Sequence, residues 1–428
     1  MKKLASILLA LVSLIACRED RDQVLKVYNW SAYIDESVIP EFESWYKQQT
    51  GEDIRIIYQT FDINETMLAK IEKGHEDFDV VCPSDYIIER MLYMDLLKPL
   101  DFASLPDSIN YIRNNQSPYM KSMMSAVNPD IDANNYSVPY MWGTVGILYN
   151  SKYVSAEEAC HMEILRNPAY DGKIFIKDAP RDVYGPAIMY LRNAEVKDGG
   201  VTLDELASDA SDESLAKVEA FMKDVKEHIA GWEADFGKEQ MTQERGYISL
   251  NWSGDAVWAM REGAEIGVDL KWAIPEEGSH IWFDGWVIPK YAHNVKAATY
   301  FIDFMCRPDI SIRNMDETGY VSANGHPSVV ESQIDDTLPP IDLSYFIPGA
   351  DSVRIDPVLY PDRSIIEACV LMHDWGENTD KLISMWSRVK GDNANTTTIV
   401  IIVAAVMAIV GVGVARNSSR KKHKKGRR

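Results

Sequence analysis

The chain has 428 residues, of which 46% are hydrophobic, so it can build two lobes with large cores and carry further segments at its ends. Its formal net charge is −21, and removing the ten positive charges of residues 1–17 and 397–428 leaves −31 for the rest. A body with this much negative charge repels nucleic acid and attracts cations. The alternative is that the acidic surface only keeps the protein soluble.

The chain begins with MKKLASILLALVSLIAC, a basic start followed by an apolar run and small residues. This pattern is typical of an export signal, and Leu14-Ile15-Ala16-Cys17 resembles the bacterial lipoprotein box. The resemblance implies cleavage before Cys17 and acylation of its thiol, with an uncleaved signal anchor as the alternative. We therefore expect a signal peptide at 1–16 and a lipidated linker at 17–22.

Strand patterns alternate with helical patterns along the body. The first series is strand 23–30, helix 35–51, strand 53–61, helix 64–74, strand 78–84 and helix 85–97. A polar, irregular stretch at 114–135 follows, and then come strand 173–180, helix 213–229 and strand 246–252. This alternation predicts an α/β fold with parallel sheets in two lobes, and two such lobes imply a cleft.

Ligands of open α/β sheets bind outside the carboxyl ends of the strands, so residues just after the predicted strands are the site candidates. Aromatic, hydroxyl and acidic side chains recur there, with almost no Lys or Arg. The set is Trp30, Ser31, Tyr33, Ser84, Asp85, Tyr86, Asp178, Asp182, Trp252, Asp255, Trp282, Asp284 and Tyr320.

Each candidate taken singly also has a structural explanation, since a Trp can fill a core and an Asp can cap a helix; for Asp255 both stay open. The segment IWFDGWVIP, residues 281–289, is more informative, because its one carboxylate, Asp284, is costly to desolvate among large rings unless a cation pairs with it. Rings attract cations and carboxylates accept charge-assisted hydrogen bonds from ammonium groups. The set therefore predicts a cleft for an organic amine with apolar methylenes between its charges.

Seven segments in fixed order resemble the periplasmic spermidine/putrescine-binding proteins of ABC importers: YNWSAYI, YQTFDINETMLAKI, FDVVCPSDY, VPYMWGTVGILYN, DAPRDV, NWSGDAVWA and FDGWVIP. The resemblance covers roughly residues 24–390. It implies a hinged, two-lobed periplasmic binding protein type II fold and a polyamine held between aromatic rings and carboxylates, then passed to an ABC permease and its ATPase. It implies neither a cofactor nor a metal, and no catalytic residue.

The resemblance also implies roles for individual residues. Family ligand contacts match Trp30, Ser31, Tyr33, Ser84, Tyr86, Asp182, Trp252, Trp282, Asp284 and Tyr320. Asp255 matches a carboxylate of the putrescine-type receptors. Three positions depart from the family: Ala32 and Ala179 stand where acidic residues are common, and Met372 stands near a glutamine. Asp85 is a candidate to replace the missing charge, and putrescine is favoured over spermidine because Asp255 is present and Ala179 is not acidic.

The end of the chain predicts a membrane anchor. Residues 399–415 are seventeen uncharged residues, extended by threonines at 396–398, and a basic segment follows. The length and the basic flank predict a transmembrane helix at 399–415 with its tail, 416–428, in the cytoplasm. The expected location is thus the periplasmic side of the cell membrane, with both a lipid anchor and this helix. The predicted division of the body is lobe I at 23–140 and 285–345, lobe II at 141–284 and 346–390, and a linker at 391–398.

Two further alternatives stay open at this stage. The motifs of common hydrolases, zinc proteases and nucleotide-binding loops are absent, which argues against an exported enzyme but leaves paired carboxylates as a conceivable catalyst. The body could also be a polyamine sensor that signals to a membrane partner, or the same fold could bind another cationic solute. Cys82, Cys160, Cys306 and Cys369 match no metal spacing, and buried thiols are favoured over two disulfides.

Overall fold

The computed structural model describes residues 21–234 and 236–391. Its strands are β1 Val24–Trp30, β2 Arg55–Phe61, β3 Val80–Val81, β4 Leu97–Lys98, β5 Ser137–Asn150, β6 Ile174–Lys177, β7 Ile229–Glu233, β8 Ile248–Trp252, β9 Leu270–Ala273, β10 Ser279–Pro289, β11 Val321–Ser322, β12 Pro340–Ile341, β13 Val353–Arg354 and β14 Cys369–Leu371.

The α-helices connect these strands and cover the sheet. They are α1 Val38–Thr50, α2 Asn64–Glu72, α3 Asp85–Tyr93, α4 Tyr111–Asn115, α5 Pro118–Ala126, α6 Ala156–Ala159, α7 Pro180–Leu191, α8 Asn193–Lys197, α9 Leu203–Ala207, α10 Asp212–Lys226, α11 Gly237–Thr242, α12 Ser253–Glu265, α13 Val295–Met305, α14 Pro308–Thr318, α15 Pro327–Glu331, α16 Arg363–Ile366 and α17 Thr379–Lys390. Short 3₁₀ turns lie at Arg21–Gln23, Phe102–Ser104, Asp107–Ile109, Ala133–Asn135, Met162–Arg166, Pro168–Tyr170 and Gly376–Asn378.

One sheet runs through both lobes, in the order β2-β1-β3-β10-β5-β8-β6-β7. The pairs at its two ends are parallel, as predicted: β1 with β2 and β3, and β6 with β7 and β8. The middle is antiparallel, because β10 pairs in that sense with β3 and β5, and β5 does so with β8. The prediction of purely parallel sheets is therefore wrong for the centre. The reason is that β5 and β10 each pair with strands of both lobes and join them.

The two joining strands are long and buried along their whole length. Every residue of β5 and of β10 is buried, which explains their nearly continuous apolar sequences. The ladder between them shifts register between Asp284 and Gly285, in the middle of β10. Such an irregularity re-aims the side chains beside it. The irregularity in β10 thus lies at Asp284, a predicted site residue.

Two predicted elements differ from the structure. The strand expected at 78–84 is a regular strand only over Val80–Val81, and beyond it Ser84 forms an isolated bridge with Asp284 after Pro83, which has no N–H for the ladder. The stretch expected to be irregular at 114–135 contains α5, whose Met120 and Met124 are buried. All four cysteines within the described residues are free thiols, which excludes the two-disulfide alternative for them.

The predicted fold class needs one correction, since it included a transmembrane helix. Within 21–234 and 236–391, no helix is long and apolar enough to cross a membrane. The segment 399–415 lies outside the described residues, as do the signal peptide and Cys17. The fold class of the described residues is thus corrected to the two-lobed α/β fold alone.

Buried aromatic rings tie the sheet to the helices on one side. The ring of Phe301, on α13, lies 5.5 Å from the ring of Trp286 on β10 and 5.2 Å from that of Phe42 on α1. All three side chains are fully buried. Aromatic pairs at such distances add to the free energy gained from burial alone.

We expect Phe301→Ala to lower the free energy of unfolding by about 3–5 kcal/mol, because it leaves a cavity between a strand and two helices. Urea denaturation followed by circular dichroism measures this change. The control is Ile266→Ala, since Ile266 is 66% exposed and its truncation should change stability by no more than about 0.5 kcal/mol. Similar losses for both variants would contradict the proposed role of this aromatic cluster.

Candidate functional site

A cavity of about 350 Å³ lies where β1, β6, β8 and the middle of β10 converge. It brings together eleven of the twelve residues predicted to contact a ligand: Trp30, Ser31, Tyr33, Ser84, Tyr86, Asp182, Trp252, Asp255, Trp282, Asp284 and Tyr320. Asp178 and the three positions that depart from the family, Ala32, Ala179 and Met372, also line it. The rule that places sites at strand ends therefore located the cavity.

Asp284 accepts hydrogen bonds from hydroxyl groups on two separate segments of the chain. Tyr33 donates its hydroxyl to Oδ2 at 2.8 Å, and Ser84 donates to Oδ1 at 2.7 Å. The side chain is only 5% exposed, and within the described residues it forms no salt bridge with Lys or Arg. Burial raises the pKa of this carboxyl to about 6 even though both hydroxyls stabilise the charged form. Asp284 is thus a buried carboxylate held in place by neutral donors.

Asp182 is a second carboxylate without a salt bridge in the described part of the chain. It lies in the first turn of α7, which follows β6 directly. Its Oδ1 is buried and accepts no hydrogen bond from any described residue. Burial raises its pKa to about 7 and the nearby charge of Asp284 acts in the same direction, while a hydrogen bond from Trp252 and the charges of Arg181 and Lys177 oppose this shift. Within the described residues, neither Asp182 nor Asp284 forms a salt bridge.

Asp255 lies in the first turn of α12, but it does not cap that helix, whose N-cap is Trp252. It has cationic partners within the protein, because Lys177 Nζ lies 2.7 Å from Oδ2 and Lys238 Nζ lies 3.3 Å from Oδ1. Tyr320 also donates its hydroxyl to Oδ1 at 3.1 Å. Burial opposes ionisation of this carboxyl, yet the two lysines hold its pKa below the ordinary value.

Lys177 and Lys238 line the cavity, so the expectation of almost no basic residues in the cleft was wrong. Lys177 is the last residue of β6, so the strand-end rule applies to it, but the predicted set contained only aromatic, hydroxyl and acidic residues. Lys238 lies on α11, and no sequence signal marked it. Asp62, Asn64 and Glu65 follow β2 and line the cavity, and the predicted set did not include them.

Asp85 is the one predicted contact that does not line the cavity. As the first residue of α3, it turns inward and accepts hydrogen bonds from the backbone N–H of Tyr86, at 2.6 Å, and of Phe283, at 3.3 Å. Burial raises the pKa of its carboxyl well above the ordinary value. Asp85 therefore supports the backbone behind the site and does not replace the charge that Ala32 lacks.

A polar network forms another part of the wall. Asn64 donates its amide N–H groups to Ser84 Oγ and to the Tyr86 hydroxyl, both at 3.0 Å. The Tyr86 hydroxyl donates in turn to Glu65 Oε1 at 3.3 Å. The guanidinium of Arg181 lies 4.2 Å from the centre of the Tyr86 ring. This network fixes Ser84, and through it one oxygen of Asp284.

Two glycines allow the rings to approach the backbone. A Cβ on Gly254 would lie 2.2 Å from Cδ1 of Tyr320, and a Cβ on Gly143 would lie 2.8 Å from Cζ2 of Trp282. The rings of Trp282 and Tyr320 pack edge to face with centres 5.6 Å apart, and Tyr33 packs on Tyr320 at 5.2 Å. A continuous aromatic surface thus runs between the two acidic parts of the cavity. Its faces can contact methylenes, while the carboxylates can bind ammonium groups.

A separate group of side chains that could bind a metal ion lies next to the end of α6. One ligand atom each of Cys160, His161 and Glu276 lies within 4.8 Å of the others, although the cysteine spacing predicted no metal site. All three are at least partly exposed, and none lines the cavity. The fold brings Glu276 to a distant part of the sequence, which spacing alone could not reveal.

The two-lobed fold, with a cavity at the ends of its central strands, is that of a solute-binding protein. A profile of the bacterial extracellular solute-binding proteins matches residues 42–334, and the chain belongs to this family. The family and the periplasmic relatives described next place it outside the cytoplasm.

Named relatives agree with this assignment. The chain is 29% identical over 312 residues to the spermidine/putrescine-binding periplasmic protein of Escherichia coli (strain K12), covering 72% of this chain and 80% of that one. It is 26% identical over 408 residues to the putrescine-binding periplasmic protein SpuD of Pseudomonas aeruginosa, covering 91% and 99%. The solved structure of the spermidine/putrescine ABC transporter substrate-binding protein PotD of Streptococcus pneumoniae is similar with a TM-score of 0.63, at 28% identity, and covers 86% of this chain and 98% of that one.

The raised pKa of Asp284 predicts how stability depends on pH without ligand. Because the folded-state pKa of about 6 exceeds the ordinary value of 3.8, the stability linked to this carboxyl is fully present below about pH 4 and is lost as the pH rises through 6. Asp284→Asn mimics the neutral form. It should therefore be more stable than the native protein by about 2–3 kcal/mol at pH 8, and this difference should shrink towards pH 4.

Urea denaturation at the two pH values measures the difference. The exposed Asp62→Asn is the matched control and should be within about 0.5 kcal/mol of the native protein at both. If Asp284→Asn were the less stable protein at pH 8, Asp284 would not carry the cost of burial inferred here.

Proposed function

We propose that this protein captures a polyamine of the putrescine or spermidine type outside the cytoplasm and delivers it to the permease and ATPase of an ABC importer. The observation that carries the proposal is that Asp284, which is buried, and Asp182, whose Oδ1 is buried, form no salt bridge within the described chain and lie beside aromatic walls. The names of the relatives support the same ligand class. An alkyl polyamine supplies both the ammonium groups and the methylenes that this lining fits.

The proposed contacts divide by chemistry. Ammonium groups bind Asp284 and Asp182, while methylenes contact the ring faces of Trp30, Trp252, Trp282, Tyr33, Tyr86 and Tyr320. Ser31 and Ser84 complete the polar lining. Lobe closure excludes water from these contacts, and charge–charge attraction is stronger where water is excluded.

We also propose that the protein binds this solute without changing it. The relatives are named as binding proteins, and the paired carboxylates lie among rings and hydroxyls that suit recognition. Import is favoured over signalling because the similar structure is named as part of an ABC transporter.

Asp284→Asn should weaken amine binding by about 3–5 kcal/mol, because it removes the charge from a buried ammonium–carboxylate pair. Calorimetric titration of the purified protein with putrescine, spermidine, spermine and cadaverine measures this loss. Recovery of the bound amine by mass spectrometry checks in the same samples that it is unaltered.

The matched control is Asp303→Asn. Asp303 is also fully buried, and burial also raises its pKa to about 7, but it accepts a hydrogen bond from the backbone of Ile112 and does not line the cavity. This variant should bind amines with native affinity. Native affinity in Asp284→Asn, or no binding of any of the four amines by the native protein, would refute the proposed site or the proposed function respectively.

We further propose that Cys17 is acylated and anchors the protein to a membrane, on the strength of the Leu14–Cys17 sequence. Cys17→Ser in the full chain should then abolish incorporation of a labelled fatty acid. Cys160→Ser is the control, since that cysteine lies in the folded body and should leave labelling unchanged. Equal labelling of the Cys17→Ser variant and the native protein would rule out acylation at this position.

A further inference from the structure

Lys177 is a buried cation at the Trp252 end of the cavity. It is the last residue of β6, and its side chain is 2% exposed. Its ammonium contacts Asp255 Oδ2 at 2.7 Å and Glu233 Oε1 at 3.2 Å, and it donates to the carbonyl oxygen of Ala234 at 2.9 Å. The contacts with Asp255 and Ala234 are hydrogen bonds, and the contact with Glu233 is an ion pair.

The same ammonium lies over an aromatic ring that lines the cavity. Lys177 Nζ is 4.3 Å from the centre of the Trp252 ring, within the range of a cation–π interaction. A carboxylate and a ring face are the two groups that would hold an alkylammonium ligand in this protein. Lys177 thus makes, from within the chain, the contacts that a ligand ammonium would make with Asp255 and Trp252.

Asp255 is already paired with cations of the protein. Lys177 and Lys238 bring two positive charges, and Asp255 and Glu233 bring two negative charges, all joined by contacts of 3.3 Å or less. A further ammonium at Asp255 would meet a carboxylate that two lysines already contact and would lie beside their positive charges. Such an arrangement costs free energy in a site from which water is excluded.

Asp284 and Asp182 differ from Asp255 in this respect. Asp284 is held by hydroxyls, and Asp182 has an oxygen without a donor, so within the described chain neither carboxylate is neutralised by a salt bridge. Ammonium groups of a ligand are therefore favoured at Asp284 and Asp182 and disfavoured at Asp255.

We propose that Lys177 acts as a built-in ammonium that occupies the Asp255 subsite and restricts the ligand to short diamines, whose two charges lie on Asp284 and Asp182. Longer amines, which place a further ammonium towards Trp252, are discriminated against. This inference rests on the proposed polyamine-binding function. It assigns to Asp255 the role of holding Lys177 instead of the role of a ligand contact.

The test compares putrescine and spermidine by calorimetry in the native full-length protein and three variants. The native protein should bind putrescine more tightly than spermidine by about tenfold or more, since spermidine gains no charge-assisted hydrogen bond from its additional ammonium. Lys177→Met leaves a net negative charge at Asp255, Glu233 and Lys238. It should therefore raise the affinity for spermidine relative to putrescine by about tenfold or more.

Two variants separate charge from shape. Lys177→Met/Asp255→Asn removes one charge of each sign, so it should keep the native ratio of putrescine to spermidine affinity. It changes the shape of the Asp255 subsite much as Lys177→Met does. Lys177→Arg keeps the positive charge and should also keep the native ratio. Circular dichroism and thermal melting verify that each variant is folded.

The outcomes separate this inference from the function on which it rests. Native protein that binds putrescine and spermidine equally well would overturn the role of Lys177, and this result needs no variant to fold. An unchanged ratio in folded Lys177→Met, or equal shifts in the single and double variants, would also overturn it while leaving polyamine binding intact. Native protein that binds neither amine would overturn both the proposed function and the inference.

Discussion

The free energy required to remove a charge from water governs the structure of this cleft. A buried carboxylate either finds a cation, accepts hydrogen bonds from neutral groups, or takes up a proton. Two of these outcomes occur in the same cavity, one at Asp255 and the other at Asp284. Asp255 is paired with Lys177 and Lys238, and its pKa is lowered in spite of burial. Asp284 accepts hydrogen bonds from the hydroxyls of Tyr33 and Ser84, forms no salt bridge within the described chain, and has a pKa raised to about 6. The first carboxylate is thus paired with cations of the protein, and the second is the one that a ligand cation would pair with in the proposed function.

The fold positions these two parts through its joining strands. β5 and β10 run through both lobes and are buried along their length, so the groups they carry have little freedom to move. Asp284 lies at the register shift of β10, where the ladder to β5 is irregular. The opposite parts of the wall come from the ends of β6 and β8, which are neighbours in the sheet. Ligand groups that bind at both parts would therefore contact segments far apart in the sequence but fixed by a single sheet.

The sequence predicted the location of the site better than its electrostatics. Eleven of the twelve residues line one cavity, most of them because they follow strands whose ends meet there, whereas Trp282 and Asp284 lie within β10 and Tyr320 precedes β11. Asp85 failed because a residue after a strand can turn into the protein as easily as out of it, and its neighbours Tyr86 and Phe283 offered buried N–H groups. Lys177 was missed because pairing depends on three-dimensional proximity: it meets Glu233 and Asp255, which are distant in sequence. The antiparallel centre of the sheet was likewise not predicted, since the order of strands along the chain does not determine which strands pair or in which direction.

The different states of the two parts also explain where binding free energy can originate. Asp255 already contacts the ammonium groups of Lys177 and Lys238 in the folded protein. A ligand ammonium that reached Asp255 would therefore have to replace contacts of the same type. At Asp284 and Asp182 burial has raised both pKa values, to about 6 and about 7, and the cost of keeping these carboxylates charged remains in the unliganded protein. A bound ammonium relieves that cost and adds a charge-assisted hydrogen bond. The buried charges of Asp284 and Asp182 thus lower the stability of the unliganded protein at the residues where a ligand would gain affinity. Lys177 keeps the part of the cavity around Asp255 ordered.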